Sequence, residues 1–137
     1  MLNIAPLKEE DIAAVVAIES LSFSAPKEEA IFKSDQNKYL VAREDGEIIG
    51  YIGVEKISGE IHVINMAVAP EHRNQGIGNK LMEKILNNID VFFLEVRASN
   101  LAAQGLYEKF GFKKVGVRRR YYSNNGEDAC LMRREPK

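Results

Sequence analysis

The clearest hydrophobic pattern in the chain predicts a strand, a polar loop and a helix in the middle of the sequence. Residues 61–68 are apolar and β-prone, and Pro70 ends the run because proline has no N–H to donate to a ladder. Apolar residues then recur at helical spacing, at positions 77, 81, 85 and 89. The pattern therefore predicts an amphipathic helix over residues 77–89, with Gly76 and Gly78 at its start.

The hydrophobic pattern of the residues before this strand–loop–helix unit predicts three more strands and two helices. The strands fall at residues 2–5, 39–42 and 48–54, and the helices fall at 8–21 and 27–32. Residues 24–26 interrupt the secondary structure between the two helices. The apolar side of the longer helix is Ile12, Val15, Ile18 and Leu21. Asp45-Gly46 and Ser58-Gly59 separate neighbouring strands, so the strands from residue 39 to residue 68 are predicted to form an antiparallel meander.

The chain after this unit predicts a parallel strand, a helix and a closing hairpin. Strand 91–96 completes a right-handed βαβ unit with strand 61–68. The helix begins at Ser99 or Asn100, either of which can cap it, and ends at Gly111. Its apolar line is Ala102, Leu106 and Phe110. Strands at 113–117 and 129–132 flank an Asn125-Gly126 turn. The predicted fold class is α/β, or α+β in stricter usage, with a mixed, mostly antiparallel sheet and helices on both faces.

Composition adds limits on the class of protein. The 137 residues, with 45% hydrophobic and 28% charged residues, fit one soluble globular domain. A formal net charge of -1 argues against a non-specific nucleic-acid binder. The basic cluster at 113–114 and 118–120 is predicted to be a solvated strand face, with an anionic partner as the alternative. Neither a membrane span nor a signal peptide is recognisable, which predicts a cytoplasmic protein.

Cysteine and histidine content gives no metal site. The single cysteine, Cys130, excludes an internal disulfide and a cysteine metal cluster, and it is predicted to lie in the core. His62 and His72 have no paired ligand spacing, so we predict no metal.

The glycines before the central helix indicate an anion site. A helix N-terminus has unpaired N–H groups and the positive end of the dipole, and glycine lets a ligand approach the backbone. The spacing matches neither a P-loop nor the dinucleotide fingerprint, which needs a third glycine. A simple turn is an equally good interpretation of these two glycines taken alone.

Glu95 is the most informative polar residue because it interrupts the apolar run 91–96. A carboxylate in such a strand needs a partner such as Arg97, a strand-end position facing water, or a role as a general base. Tyr107 and Asn100 follow the end of this strand, where open α/β sheets bind ligands, although they could also be a core tyrosine and a helix cap. The spacing of Glu19 favours a solvated helix residue.

The central loop and the last third of the chain resemble a known family. Arg73-Asn74-Gln75-Gly76-Ile77-Gly78 resembles the R/Q-x-x-G-x-G/A loop of the GCN5-related N-acetyltransferases (GNAT). The segments L-E-V-R-A-S-N at 94–100, L-Y-E-K-F-G-F at 106–112 and R-R-Y-Y at 119–122 are similar to its ribosomal-protein-alanine N-acetyltransferase (RimI) branch. The resemblance covers nearly the whole chain and is strongest over residues 65–132.

The resemblance implies roles for individual residues. It implies a bulge that splays the central parallel pair and frees backbone groups for the pantetheine of acetyl-CoA, at Met66, Ala67 and Val68. It implies a pyrophosphate loop at Arg73, Asn74, Gln75, Gly76, Ile77, Gly78 and Asn79, with Asn100 as a further pantetheine contact. It implies Glu95 as the base for the substrate ammonium and Tyr107 as the acid for the leaving thiolate. It implies a peptide site at Glu19, Tyr121 and Tyr122.

The implied function is acetyl transfer from acetyl-CoA to a protein N-terminal α-amine by direct attack in a ternary complex. The leading acceptor is the N-terminal alanine of a small-subunit ribosomal protein. The implied protein is a single N-acetyltransferase domain over residues 1–137, a monomer or weak dimer, with no metal, no membrane and no direct nucleic-acid contact. Alternatives are a GNAT enzyme for a small-molecule amine or a lysine, a non-catalytic acyl-CoA-binding module, and an adaptor that binds ribosomal RNA through residues 118–120.

Two positions depart from the branch. Lys27 stands after Pro26 where the branch usually has Pro-Trp-Ser, close to its peptide-binding side, so the acceptor is less well defined than the reaction. The connection at 87–90 is shorter than usual and is predicted not to affect the chemistry.

Overall fold

The computed structural model describes residues 1–23 and 26–136, and it contains seven strands and four α-helices within those ranges. The strands are β1 (Leu2–Pro6), β2 (Tyr39–Glu44), β3 (Glu47–Ile57), β4 (Glu60–Val68), β5 (Phe92–Arg97), β6 (Lys113–Tyr122) and β7 (Glu127–Arg134). The helices are α1 (Ile12–Ser22), α2 (Glu29–Ser34), α3 (Ile77–Ile85) and α4 (Leu101–Lys109). The predicted interruption of secondary structure at 24–26 includes Ser24 and Ala25, which lie outside the described residues.

The strands form one mixed sheet in the order β1-β2-β3-β4-β5-β7-β6. β4 and β5 are parallel, with Ile61 opposite Phe92 and Val63 opposite Leu94. The pairs β1–β2, β2–β3, β5–β7 and β6–β7 are antiparallel. The predicted mixed, mostly antiparallel sheet and its parallel β4–α3–β5 unit are therefore confirmed.

The chain divides into two compact units, and each is built from two segments. The first unit comprises Met1–Val54 and Asn65–Ile85, and the second comprises Glu55–Ile64 and Leu86–Lys137. In the first unit the rings of Phe32, Tyr39 and Tyr51 meet edge to face or tilted, with centroids 5.1–6.1 Å apart. In the second, Phe92 and Leu94 of β5 are buried, as is Met132 of β7.

The two predicted hairpin turns have the backbone φ angles that their residues favour. Asp45 and Gly46 both have positive φ (51° and 82°), as do Ser58 and Gly59 (51° and 82°). Two consecutive positive φ angles match the twist of the flanking strands, and Asx-Gly and Ser-Gly sequences tolerate them. Both hairpin predictions are confirmed.

The first predicted helix differs from the observed one. Glu9–Asp11 forms a 3₁₀ turn and the α-helix begins at Ile12. Ile12, Val15 and Ile18 are buried as predicted, but Leu21 is 67% exposed, so its assignment to the apolar side was wrong. The fourth buried residue of α1 is Glu19 instead. Hydrophobic periodicity could not show this, because glutamate is not an apolar residue.

The central helix ends four residues earlier than predicted. α3 stops at Ile85, and Ile89 is 83% exposed. The Asn87 side chain explains the stop, because its Oδ1 accepts hydrogen bonds from the N–H groups of Ile89 (2.9 Å) and Asp90 (2.8 Å). Asparagine offers the backbone this local alternative to a helix, so an apolar residue at helical spacing does not extend α3.

Candidate active site

The loop after β4 leads directly into the N-terminus of α3. Asn74 and Gly76 have positive φ (63° and 78°), and a Cβ added at Gly76 would meet nothing within 4 Å. Ile77, the first residue of α3, is 5% exposed and anchors the helix start. The N–H groups of the first helical turn have no intrahelical acceptor, so this solvent-facing loop offers donors and the positive end of a dipole to an anion.

Arg73 fastens this loop inside the first unit. Its Nε donates to the Val68 carbonyl (3.0 Å) and its Nη2 donates to Ser22 Oγ (3.1 Å). Gln75 Nε2 donates to the Glu71 carbonyl at 3.4 Å. These contacts fix the path of the loop between β4 and α3. The ligand roles of Arg73 and Gln75 remain predictions.

The end of β4 packs closely against β3. Ala67 is buried, and its carbonyl oxygen lies 3.1 Å from the position of a Cβ added at Gly50. Met66 and Val68, on either side, are half-buried. The backbone of these three residues is thus held by the sheet, while the predicted bulge at this point remains a prediction.

Glu95 lies on the less buried side of β5. Burial alternates along the strand, with Phe92, Leu94 and Val96 buried and Glu95 half-buried, so one face of the strand is less covered than the other although the run 91–96 is mostly apolar. The Glu95 side chain is 15% exposed, and its Oε1 lies 3.4 Å from Arg118 Nε and 3.8 Å from His62 Nε2. The carboxylate is therefore held by a guanidinium and an imidazole while it stays open to solvent.

The partners of Glu95 are not the one that the sequence suggested. Arg97, the proposed partner, bonds Glu127 instead. His62 is brought to Glu95 by the parallel register, in which His62 is opposite Phe93. Alternation along β5 places Phe93 and Glu95 on one face, but it does not say which residue of β4 lies opposite them, because no tight turn joins these two parallel strands.

Arg97 organises the closing hairpin of the second unit, a role that the sequence did not indicate. Its Nη1 donates to Glu127 Oε1 (3.2 Å) and its Nη2 donates to Asn124 Oδ1 (3.1 Å). Its guanidinium lies 3.9 Å from the centre of the Tyr122 ring, a cation–π distance. Hydrogen bonds from Ser99 and then Arg97 lower the pKa of Glu127. The end of β5 and the β6–β7 hairpin are thereby tied together.

Tyr107 is a protonated phenol throughout the neutral range. It lies on α4, and its ring centroid is 5.9 Å from that of Phe112. Burial, and secondarily the neighbouring Tyr122, raise the pKa of Tyr107 to about 12. Burial also raises the pKa of Tyr122 to about 12, against the opposing effect of Arg97. Both hydroxyls are therefore hydrogen-bond donors at neutral pH, and Tyr121 beside them is 48% exposed.

Asn100 acts as the N-cap of α4. Its Oδ1 accepts from the Ala103 N–H at 3.1 Å, which confirms the predicted cap. Among residues 1–23 and 26–136 the amide nitrogen of this exposed side chain has no hydrogen-bond acceptor, so it can contact a ligand. The helix that Asn100 begins buries none of its residues fully, and Ala102 is exposed, so the predicted apolar line is weaker than expected.

Glu19 is the main surprise of the first unit, because it is 2% exposed and not solvated. Its Oε1 accepts hydrogen bonds from the Tyr51 hydroxyl and from Asn65 Nδ2 (2.6 Å), and its Oε2 accepts from the Lys27 N–H (2.9 Å). Burial and the bond to Glu19 raise the pKa of Tyr51. The carboxylate joins α1 to β3, β4 and the backbone before α2.

The remaining features of the described residues add little to the site. Possible ligand atoms of Glu47, Glu71 and His72 lie within 4.8 Å of one another, two of them on exposed side chains. The spacing of Glu47 and His72 in the sequence gave no indication that they lie close together. In residues 1–23 and 26–136, every helix is too short or too polar to cross a membrane.

Comparison with known families identifies the class of enzyme, an acetyltransferase. The model of the acetyltransferase (GNAT) family matches residues 9–112. This chain therefore belongs to the GNAT acetyltransferase family.

The matches to its relatives cover from about three quarters to all of the chain. It is 33% identical to the [ribosomal protein bS18]-alanine N-acetyltransferase of Escherichia coli (strain K12), over 96% of each chain. It is 40% identical to the N-alpha-acetyltransferase RimI of Mycobacterium tuberculosis, over 74% of this chain and 68% of that protein. The crystal structure of the Escherichia coli ribosomal-protein-S18-alanine N-acetyltransferase superposes with a TM-score of 0.90, covering 100% of this chain and 95% of that one at 31% identity.

Proposed function

We propose that this chain transfers the acetyl group of acetyl-CoA to the N-terminal α-amine of a protein, with the N-terminal alanine of a small-subunit ribosomal protein as the acceptor. The observation that carries the proposal is the similarity over 96% of both chains to a relative named for this reaction. The proposal takes residues 1–137 as one N-acetyltransferase domain that works in the cytoplasm, as a monomer or weak dimer and without a metal.

The acetyl-CoA site of the proposal uses backbone more than side chains. The exposed loop and the first turn of α3, residues 73–79, supply N–H groups for the pyrophosphate, and the open space at Gly76 supports this assignment. Backbone groups of Met66, Ala67 and Val68 bond the pantetheine, and one N–H polarises the thioester carbonyl. Asn100 contributes its free amide nitrogen.

Glu95 is the base of the proposed reaction. An α-amino group has a pKa near 8, so most of it is protonated at neutral pH and must lose a proton before it can attack. Glu95 accepts that proton, directly or through a water, and the neutral nitrogen forms the new bond to the carbonyl carbon. The carbon–oxygen double bond re-forms as the carbon–sulfur bond breaks, the sulfur leaves with the electron pair as thiolate, and the second proton of the amine passes to solvent, so no covalent enzyme intermediate is needed.

Tyr107 is the donor to the departing sulfur. A thiol has a pKa of about 8.5 and Tyr107 has a pKa of about 12, so complete proton transfer to the thiolate is uphill. The phenol therefore contributes mainly as a hydrogen-bond donor whose bond strengthens as charge develops on sulfur. Tyr121 and Tyr122 border the peptide, and Glu19 contributes by holding the Lys27 backbone.

Two variants test these roles. Glu95→Gln and Tyr107→Phe should each lower kcat about 100-fold with an alanine-first peptide, because the first removes the proton acceptor and the second removes the hydrogen-bond donor to the departing sulfur. Calorimetric affinity for CoA should change less than about twofold, since neither group is assigned to CoA binding. Glu108→Gln, an exposed change on α4, is the control. Full kcat in both variants would show that the assigned roles are wrong.

Two further measurements identify the acceptor. A panel of peptides that differ only in the first residue distinguishes alanine specificity from acetylation of any amine. Mass spectrometry of cellular protein N-termini with and without the protein should show loss of acetylation at one alanine terminus. Activity that is independent of the first residue would instead favour a lysine or small-molecule acceptor.

A further inference from the structure

β6 is the outermost strand of the sheet, and most of its side chains face solvent. It stands last in the strand order, beside β7, so its outer side has no strand partner in the described part of the chain. Eight of its ten residues are exposed, and the other two, Gly116 and Tyr122, are half-buried. Packing in the core therefore does not determine which residues stand on this strand.

The charged side chains of β6 are all of one sign. The strand has five of the chain's 19 lysine and arginine residues and none of its 20 acidic residues, and the five are Lys113, Lys114, Arg118, Arg119 and Arg120. The formal net charge of -1 is therefore the average of a basic edge and an otherwise acidic chain. Because salt screens charges beyond about 10 Å, a partner at this edge meets the local charge and not the average.

Three of these five cations have no side-chain partner in residues 1–23 and 26–136. Arg118 Nε lies 3.4 Å from Glu95 Oε1, whereas the side chains of Lys113, Lys114 and Arg119 make no hydrogen bond or ion pair there. Like charges this close together repel one another, so a bound anion would stabilise the strand.

The cations stand on both faces of the sheet along its free edge. Lys113 is opposite Arg133 of β7 and Lys114 is opposite Met132, and successive residues of a strand project to opposite faces. The run from residue 113 to residue 120 is about 26 Å of extended chain, so a ligand that follows the edge meets several cations in turn.

Protection of the edge against strand addition does not require five cations. Charges and bulges both prevent an edge strand from pairing with another chain. β6 has register shifts between Lys114 and Gly116 and between Arg118 and Tyr122, and a mixture of charge signs would protect it as well. The single sign indicates a partner that is anionic along the same length.

An exposed tyrosine follows the basic run and distinguishes one class of anion from the others. Tyr121 is 48% exposed, and the guanidinium of Arg118 lies 5.9 Å from the centre of its ring. A row of cations beside an exposed aromatic ring suits a single-stranded nucleic acid, whose phosphates pair with the cations while an unpaired base stacks on the ring. An acidic peptide or an anionic membrane has no such base.

We propose that the outer edge of β6 binds single-stranded nucleic acid. A base stacks on Tyr121, and the cations that hold the phosphates are Lys113, Lys114, Arg119 and Arg120. This binding needs neither acetyl-CoA nor an acceptor amine, so it does not depend on the proposed function.

The test measures fluorescence anisotropy of a labelled oligouridine, about 10 nucleotides long, as the whole chain is added. Binding should saturate and should weaken with salt, because each phosphate contact releases counterions. Four contacts to a single strand predict a slope of about −2.8 for the logarithm of the binding constant against the logarithm of the salt concentration.

Two double variants of equal charge assign the binding to β6. Lys114→Gln with Arg119→Gln should bring the slope to about −1.4 and weaken binding about tenfold or more, since two of four contacts are lost. Lys8→Gln with Lys84→Gln removes two exposed lysines from the other unit and should leave the slope at its parent value. Both variants should keep the Tm of the parent, because all four side chains are exposed.

A third variant tests the stacked base. Tyr121→Leu should weaken oligouridine binding about fivefold or more and leave the binding of polyglutamate unchanged, because polyglutamate has no base to stack. Since Tyr121 also borders the proposed peptide site, binding and not acetylation is measured for this variant.

Three results would overturn the inference. The first is oligouridine binding that is absent or insensitive to salt. The second is equal weakening by the two double variants, which would mean that the charge of the whole chain and not the edge of β6 attracts the ligand. The third is equal affinity for oligouridine, polyglutamate and anionic vesicles, with no effect of Tyr121→Leu, which would make the edge a general anion surface. None of these results bears on acetyl transfer.

Discussion

The pKa of Tyr107 gives a pH dependence that depends on a single side chain. A phenol is neutral below its pKa, so raising that pKa from about 10 to about 12 extends the range in which Tyr107 can donate. We predict that kcat rises as the acceptor amine deprotonates and does not fall up to pH 10.5. Initial rates with a peptide acceptor between pH 6 and 10.5 measure this.

The contrary result is a fall in kcat centred at or below pH 10, which would mean that the donating group has an ordinary phenol pKa. Circular dichroism across the same pH range is the control, because a fall caused by unfolding would appear there too. Tyr107→Phe should show low kcat at every pH and no change in the shape of the profile.

Glu19 shows how one buried carboxylate can join several elements. Three donors, from Tyr51, Asn65 and Lys27, meet its two oxygens. We predict that Glu19→Gln lowers the free energy of unfolding by about 1–3 kcal/mol, because an amide cannot accept from all three donors and leaves a buried donor unpaired. Urea denaturation followed by circular dichroism measures the change.

Glu10→Gln is the matched control for Glu19, since Glu10 is exposed. That change should stay within about 0.5 kcal/mol of the parent. An equally small effect of Glu19→Gln would contradict the hydrogen-bond network described here.

At the scale of elements, the packing of α3 on β3 depends on one glycine. A Cβ added at Gly50 would lie 3.1 Å from the Ala67 carbonyl oxygen and 3.4 Å from Ile77 Cγ2 and Leu81 Cδ1. Backbone cannot yield as a flexible side chain can, so Gly50→Ala should destabilise the protein by about 1–3 kcal/mol. Chemical denaturation is the measurement.

Gly105→Ala is the opposite case within α4. Its added Cβ meets nothing within 4 Å, and alanine is the better helix former, so the change should stabilise by about 0.5–1 kcal/mol. A Gly50→Ala variant that is as stable as the parent would show that the close approach to the Ala67 carbonyl does not limit that position, and a destabilised Gly105→Ala variant would contradict the prediction for α4.

At the scale of the whole molecule, the proposed cofactor should stabilise the folded chain through its phosphates. A ligand at 100 times its Kd adds about 2.7 kcal/mol to the free energy of unfolding. We predict that CoA raises Tm more than pantetheine does at equal concentration, because pantetheine has no pyrophosphate for the α3 N-terminus. A thermal shift assay with both ligands tests this.

Equal shifts from CoA and pantetheine would argue against an anion site at residues 73–79. Inorganic pyrophosphate is a useful third ligand, since it should reduce the additional shift that CoA gives by competing for the same backbone donors.

Much of the fold follows from local sequence rules. Strands β1 to β5, the Asp45-Gly46 and Ser58-Gly59 turns and the Asn100 cap were predictable because alternation, turn chemistry and capping depend on neighbours in sequence. A polar, glycine-bearing loop at residues 73–78 was predictable for the same reason, while its role as a pyrophosphate loop came from the family resemblance and stays a prediction. The error at Ile89 came from extending a periodicity past the point where the backbone bonds to the Asn87 side chain, whereas Leu21 lies within α1 and is exposed although it has helical spacing.

The candidate site was only half predictable. Sequence by itself determined which residue types stand at Glu95, Tyr107 and Gly76, and it determined the strand–helix–strand order that carries them. Only tertiary structure decided that Glu95 meets His62 and Arg118, that Arg97 turns to the closing hairpin, and that Glu19 is buried. The physical reason is that burial and ion pairing depend on strand register and on residues far apart in the chain, which no local pattern of hydrophobicity records.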